Sequence, residues 1–284
     1  MGAAMKEDAE NGRCDWVSVE GNPVPCDISG EGPTLVLVHG GWADHRIWHE
    51  VRPYLQKHFT VFAFTLSGFG PWDWSDDAFG LNPHTEDLIK IIDHLGVPVH
   101  LAGWSYSGHV LLAAAAARPD RVLSVSHYEP SLGYLLGSSA EDLRALESAN
   151  IGLAPTEELF KNGDEEAGIR VGLEYLFGMR PGGFSDFSQY IQRVFLNNAH
   201  TIPKHIYAPN PTPLNSQLLS QITCPVALLS GSETHSIYKR SVETVASIKS
   251  DVRTPKIPGA GHGWPVQKPN EFANEVLKFV ISVK

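Results

Sequence analysis

The stretch VHLAGWSYSGHVLLAAAAARPD, from Val99 to Asp120, constrains this chain most, because it reads as strand, sharp turn and helix. Its apolar lead-in, Val99, Leu101 and Ala102, suits a buried strand, and the alanine-rich run after Gly108 suits a helix lying close on a sheet. Between them stands Gly103-Trp104-Ser105-Tyr106-Ser107-Gly108. A serine on so tight a turn is held in strained backbone geometry with its hydroxyl exposed. Small residues two positions to either side, here Gly103 and Ser107, let strand and helix pass close together.

With 284 residues and 42% hydrophobic content, the chain can bury the core of one large domain or of a domain with an insertion. Lys+Arg 22 against Asp+Glu 32 gives a net charge of −10, which forces no basic face and argues against nucleic acid and anionic membranes as partners. The expected partner is a small molecule, and nothing in the sequence fixes an oligomeric state. No run approaches the roughly 20 apolar residues of a membrane span. The opening MGAAMKEDAENGRCDW lacks the apolar core of a signal peptide, so residues 1–14 read as a short flexible tail and the protein as cytoplasmic. Cys14, Cys26 and Cys224 have no metal spacing and read as free thiols. No phosphate-binding loop, H-E-x-x-H or paired-cysteine motif implies a metal or a cofactor.

Strand and helix alternate along the chain. Trp16 to Glu20 and Val24 to Gly30 predict an edge hairpin around Gly21-Asn22-Pro23. Thr34 to Gly40 is a continuous apolar run, as in a strand covered on both faces of a parallel sheet. Ile47, Trp48, Val51 and Leu55 predict one helix, Thr60 to Leu66 a strand, His84 to Leu95 a helix closed by Gly96, and Arg121 to Pro130 a strand. From Ser131 to Thr223 no buried strand is visible. Helices are expected there over 140–149, 156–161, 165–177 and 187–198, broken at Pro155, at Arg180-Pro181-Gly182-Gly183 and at Pro203. Alternation resumes with a strand over 225–231, a helix over 239–248, a strand in RTPKIPG and a helix over 270–281. The expected architecture is α/β: a mostly parallel twisted sheet, helices on both faces, a core of 15–130 and 224–284, and a helical cap over 131–223.

Two further segments carry chemistry. HGGW, His39 to Trp42, ends the Thr34 strand, and IPGAGHGWP, Ile257 to Pro265, lies between the last expected strand and the last helix. With the Ser105 turn, G-x-S-x-G with Ser107 in the last place, these segments resemble the α/β-hydrolase superfamily, in particular its capped serine esterases. The resemblance implies Ser105 as nucleophile, His262 as the base, and the N–H groups of Gly41 and Tyr106 as an oxyanion hole. The commonest family pattern places an aspartate three residues beyond Gly231, where this chain has Thr234. Two glutamates therefore compete for the acid. Glu129 follows the strand after the Ser105 helix, a location some superfamily members use, and adjacent Glu233 is the alternative. Trp42 and Trp104, beside the oxyanion loop and the nucleophile, are expected pocket walls. His39 is expected to brace its loop; His127, His200, His205 and His235 could lie near a cap-covered pocket, but their default reading is surface or a satisfied core.

The function expected is cofactor-free hydrolysis of an ester or similar acyl bond of a small apolar substrate, through an acyl-enzyme. The same frame serves carbon–carbon bond hydrolases and cofactor-free dioxygenases, which need an ionisable aromatic substrate. A non-catalytic ligand-binding protein with a decayed triad is the remaining alternative.

Overall fold

The computed structural model describes residues 14–72, 74 and 79–283, so the expected tail lies outside the described residues except for Cys14. Eight strands are named in chain order: β1 (Asp15–Val19), β2 (Asn22–Ser29), β3 (Thr34–Val38), β4 (Thr60–Phe64), β5 (Val99–Trp104), β6 (Val122–Tyr128), β7 (Val226–Gly231) and β8 (Lys256–Ile257). They form one sheet in the order β1-β2-β4-β3-β5-β6-β7-β8. β1 and β2 pair antiparallel, as does β2 with β4, and every later pair is parallel.

The helices are α1 (Arg52–Leu55), α2 (Leu81–Leu95), α3 (Ser107–Ala117), α4 (Ala140–Lys161), α5 (Glu165–Leu176), α6 (Gln189–Leu196), α7 (Thr201–Tyr207), α8 (Ser216–Leu219), α9 (Ser236–Ile248), α10 (Trp264–Gln267) and α11 (Pro269–Ser282). Helices α4 to α8 all fall between β6 and β7 and make the cap. Among the described residues no helix is long and apolar enough to cross a membrane.

Side-chain alternation along the strands builds two cores. On β3, Val36 and Val38 join one apolar cluster and Leu35 and Leu37 the other, as a strand covered on both faces requires. The first cluster packs Val110, Leu111, Leu112, Ala114 and Ala115 of α3 against the sheet. The second joins the opposite face to the cap, through Ile169 and Leu173 of α5 and Ile191, Val194 and Phe195 of α6 or its end. Cap and sheet therefore share one continuous apolar interior.

Several expected boundaries move, each for a local reason. Ile47, Trp48, Val51 and Leu55 are buried as expected, but on a 3-10 turn (His45–Trp48) followed by the single turn of α1, with Pro53 in its first turn. Pro155 does not break the cap helix: it lies inside α4, and the carbonyl it leaves unpaired belongs to Ile151, which is 68% exposed and open to water. Pro203 is likewise no break, since it occupies the first turn of α7, where a missing N–H costs nothing. The last strand shrinks to Lys256–Ile257.

A buried polar knot ties cap to core. Asp44 accepts two bonds from the Arg46 guanidinium, at 2.9 and 2.8 Å, and a third from the Asn198 amide at 2.7 Å. The Asn198 side-chain oxygen, Oδ1, accepts the Gly70 N–H at 2.7 Å, so the turn after α6 is fastened to two core loops. Arg46 and its hydrogen bonds hold the Asp44 carboxyl below the ordinary range although burial opposes it. Asp44→Ala leaves Arg46 buried without its counter-charge and is expected to cost about 3–5 kcal/mol in urea unfolding, with Asp44→Asn milder.

Five buried histidines are neutral. Burial pushes His39 and His109 down to about 4, and His45, His84 and His127 down to about 3. Each is uncharged when folded and gains a proton on unfolding once the pH is below about 6.5. Stability is therefore complete above that pH and falls as the medium acidifies, by up to ~1.4 kcal/mol per pH unit for each histidine. Unfolding midpoints should drop steeply between pH 7 and 4.5, and a flat profile would contradict this account.

Candidate active site

Ser105 lies where β5 turns into α3, at φ 59°, a left-handed conformation that a serine adopts only when its surroundings impose it. Its N–H donates to the Tyr128 carbonyl at 3.0 Å, and its own carbonyl accepts the N–H groups of Gly108 and Ser131 at 3.1 and 3.0 Å. A Cβ on Gly108 would stand 2.4 Å from that of Pro130, so the close pass of α3 over the end of β6 demands glycine there. Ser107 is more than a small residue. Its Oγ accepts the Trp104 N–H at 3.2 Å and lies 3.1 Å from the carbonyls of Val38 and Trp104 and 3.2 Å from His127 Nε2. The hydroxyl thus cross-links the ends of β3, β5 and β6.

His262 reaches the serine from the loop between β8 and α10. Its Nε2 accepts the Ser105 hydroxyl at 2.9 Å, and its Nδ1–H donates to Glu129 Oε2 at 2.8 Å. The loop is clamped by the Trp104 indole N–H on the His262 carbonyl (2.9 Å) and by the Tyr128 hydroxyl on the Gly261 carbonyl (2.8 Å). Tyr238 stacks on the imidazole, with centroids 3.8 Å apart and planes 5° from parallel. Burial lowers the imidazole pKa below its ordinary value, and the Glu129 carboxylate opposes that only in part. The ring is therefore a neutral base at neutral pH.

Glu129 is fully buried, also at a left-handed φ of 49°, just beyond β6. Its Oε1 accepts the Gly231 N–H at 2.7 Å, and its Oε2 accepts the Thr234 hydroxyl at 2.7 Å as well as the His262 bond. Glu233 is exposed, and the contact that holds it is its own N–H on the Ala260 carbonyl at 3.0 Å. The carboxylate against His262 is thus Glu129, and Glu233 points elsewhere. Thr234, at the position where the family pattern has its aspartate, donates a hydrogen bond to the relocated acid.

Gly41 and Tyr106 face each other across the nucleophile: a Cβ on Gly41 would lie 3.5 Å from that of Tyr106. Among the described residues neither N–H has a backbone acceptor, and Tyr106 stands at the N-terminus of α3, where the helix favours negative charge. The next residue, Trp42, has φ 62°. His39 braces this loop as expected, donating from Nδ1 to the Gly40 carbonyl at 2.8 Å and accepting the Leu66 N–H at 3.1 Å.

Above Ser105 opens a cavity of about 180 Å³ whose floor includes Gly41, Tyr106 and His262, with Trp42 and Trp104 as aromatic walls. Leu153, Leu173 and His205 come from the cap. Of the four histidines weighed for a place near the pocket, His205 lines it against its default reading, and its Nε2 is buried without a partner among the described residues. His200 and His235 instead meet carbonyls, of Gly68 at 3.1 Å and Tyr175 at 2.9 Å. A larger cavity of about 230 Å³ lies between the β1–β2 hairpin and α2, away from Ser105 and His262. Among the described residues no group of three His, Cys, Asp or Glu side chains is placed to hold a metal ion. Thr234, Tyr238 and the bracing role of Ser107 escaped the sequence. Only Thr234, by standing at the family's acid position, left a trace there.

Residues 35–275 match the alpha/beta hydrolase family. Among curated proteins, the chain is 31% identical over 142 residues to the magnesium-chelatase 30 kDa subunit of Rhodobacter capsulatus, covering 48% of each. It is 32% identical over 96 residues to a pimeloyl-[acyl-carrier protein] methyl ester esterase of Aeromonas salmonicida, 34% of this chain and 37% of that one. These matches span half or less of the relatives' length. Among solved structures, a membrane phospholipase A described as a bacterial virulence factor superposes with a TM-score of 0.75 at 23% identity, over 99% of this chain and 90% of the other, a likeness of fold.

The geometry sets an order of sensitivity toward a fluorophosphonate that labels activated serines. Glu129→Gln is expected to slow labelling of Ser105 by about 10³–10⁴-fold, while Glu233→Gln stays within about twofold of the parent. Because His262 must be neutral to accept the proton and burial lowers its pKa, the acid limb of the labelling rate should lie below about pH 6.5. Equal loss in both variants, or an acid limb above that pH, would overturn the assignment.

Proposed function

The chain belongs to the alpha/beta hydrolase family, and on that premise we propose that it is a serine esterase acting on a small, largely apolar ester held under the cap over 131–223. The observation that carries this reading is the continuous chain of short hydrogen bonds from Ser105 through His262 to Glu129, at 2.9 and 2.8 Å.

Ser105 Oγ attacks the ester carbonyl carbon as its proton passes to His262 Nε2. The imidazolium that forms is stabilised by Glu129, which Gly231 and Thr234 also hydrogen-bond and so hold aimed at His262. The carbonyl oxygen becomes an oxyanion, and the Gly41 and Tyr106 N–H groups receive it at the start of α3. Collapse breaks the bond to the alcohol, which leaves with the proton from His262. Water then attacks the acyl-enzyme through the same base and releases the acid.

The pocket supports an apolar substrate, since Trp42, Trp104, Leu153, Leu173, Leu176 and Phe177 surround Ser105. The relative named as a methyl ester esterase belongs to the same class of chemistry. The intact triad also removes the motive for a decayed, non-catalytic binding protein.

Short-chain aryl esters should be hydrolysed with a transient acyl adduct on Ser105, visible by intact mass and peptide mapping. Ser105→Ala is expected to lower kcat by about 10⁴-fold or more with the fold retained. Absence of ester turnover together with oxygen-dependent consumption of an ionisable aromatic compound would replace this reading with the cofactor-free dioxygenase alternative.

A further inference from the structure

The cavity over Ser105 has a neighbour on the far side of Trp42. A second cavity of about 170 Å³ lies beyond it, and Trp42, Leu153 and His205 wall both. The remaining walls of the second cavity are Ile202, Ile206, Thr156 and Glu157. Trp42 and Thr156 lie side by side because Gly172 of α5 has no side chain: a Cβ there would be 2.7 Å from the indole and 2.9 Å from Thr156 Oγ1.

Thr156 Oγ1, in this lining, is buried and lacks a hydrogen-bond partner among the described residues; so does His205 Nε2, which lies toward the oxyanion loop, 3.5 Å from a Cβ built on Gly41. Thr156 is 1% exposed. A helical threonine commonly returns its hydroxyl to the carbonyl one turn back, as Thr85 does to Leu81 at 2.7 Å, and Thr156 does not. The His205 ring is held by edge-on packing against Phe79 and Tyr106, with centroids 5.0 and 4.6 Å away. Burial pushes its pKa down to about 3, so it meets a ligand as a neutral imidazole. Buried donors and acceptors left unmet in the free protein are satisfied when a ligand brings their complements.

We propose that the second cavity is a distal substrate subsite, which receives an uncharged oxygen function, a hydroxyl or a carbonyl, carried on the ester beyond Trp42 and pairs it with Thr156 Oγ1. This inference rests on the esterase reading and narrows its substrate class to esters that are apolar beside the scissile bond and oxygenated at the far end. The recognising hydroxyl can donate or accept, which suits a hydroxyl or a carbonyl equally. The Glu157 carboxylate on the wall disfavours a distal carboxylate, although the exposed Lys161 ammonium 3.9 Å from it softens the effect.

The test uses matched ester pairs of graded length, each with a methyl-tipped and a hydroxyl-tipped member, extended on the acyl or on the alcohol side. The parent enzyme should show, for at least one length, a kcat/KM about tenfold higher for the hydroxyl-tipped member, with the gain mainly in KM. Thr156→Val, which keeps shape and removes the hydroxyl, should bring that ratio to within about twofold of unity. Thr156→Ser, which restores the hydroxyl, should keep the preference. Hydrolysis of both members at equal rates, or a preference that survives Thr156→Val, overturns the subsite and leaves the esterase reading standing. Failure to hydrolyse any pair, in a protein whose Ser105 also resists a fluorophosphonate, overturns both.

Discussion

The left-handed turn at Ser105 is the constraint on which the rest depends. A φ of 59° lifts the hydroxyl out of the end of the sheet, and local preference opposes it. It persists because the residues around it are over-determined. Gly108 admits Pro130, the Ser107 hydroxyl joins three strand ends, and Ser105 itself is pinned to Tyr128 and Ser131. Glu129 and Trp42 share the same backbone region, so three of the four described non-glycine residues with positive φ are the nucleophile, the acid and a residue of the oxyanion loop. Strain is concentrated where the chemistry is and is held by the parallel sheet behind it.

The acid shows how the fold tolerates a rearranged triad. The ends of β6 and β7 are neighbours, since the two strands pair along Val125 to Tyr128 and Val226 to Leu229. A carboxylate can therefore reach His262 from either. With Glu129 on β6, the β7 side contributes two donors instead, the Gly231 N–H and the Thr234 hydroxyl. The carboxylate is fully buried, and both its oxygens are met by hydrogen bonds.

The cap is part of the same physical object as the sheet. Its apolar residues complete one of the two cores, its Asn198 closes the Asp44–Arg46 knot, and its Leu153, Thr156 and His205 define the space beyond the nucleophile. Substrate selection and fold stability thus draw on overlapping residues. Changes in the cap that enlarge the site are expected to act on both.

The parallel strands, the elbow helix and the places of Ser105 and His262 were legible in the chain, because period, glycine placement and strand–helix alternation are local properties that one sequence displays. The presence of helices in the cap was also visible, but their limits were not: Pro155 and Pro203 break helices by local rule, whereas an exposed Ile151 one turn back and a first-turn position accommodate them. Glu129 was the favoured acid in sequence, at the carboxyl end of the strand after the Ser105 helix, with Glu233 as the alternative, since each follows a strand end and carries the same group. Only the tertiary structure decided between them, by burying one against His262 with Gly231 and Thr234 around it and leaving the other in solvent. In the same way the sequence by itself determined a serine nucleophile on an α/β sheet, while the contents of the pocket, with His205 drawn in from the cap, followed from contacts between residues a hundred positions apart, which no local pattern encodes.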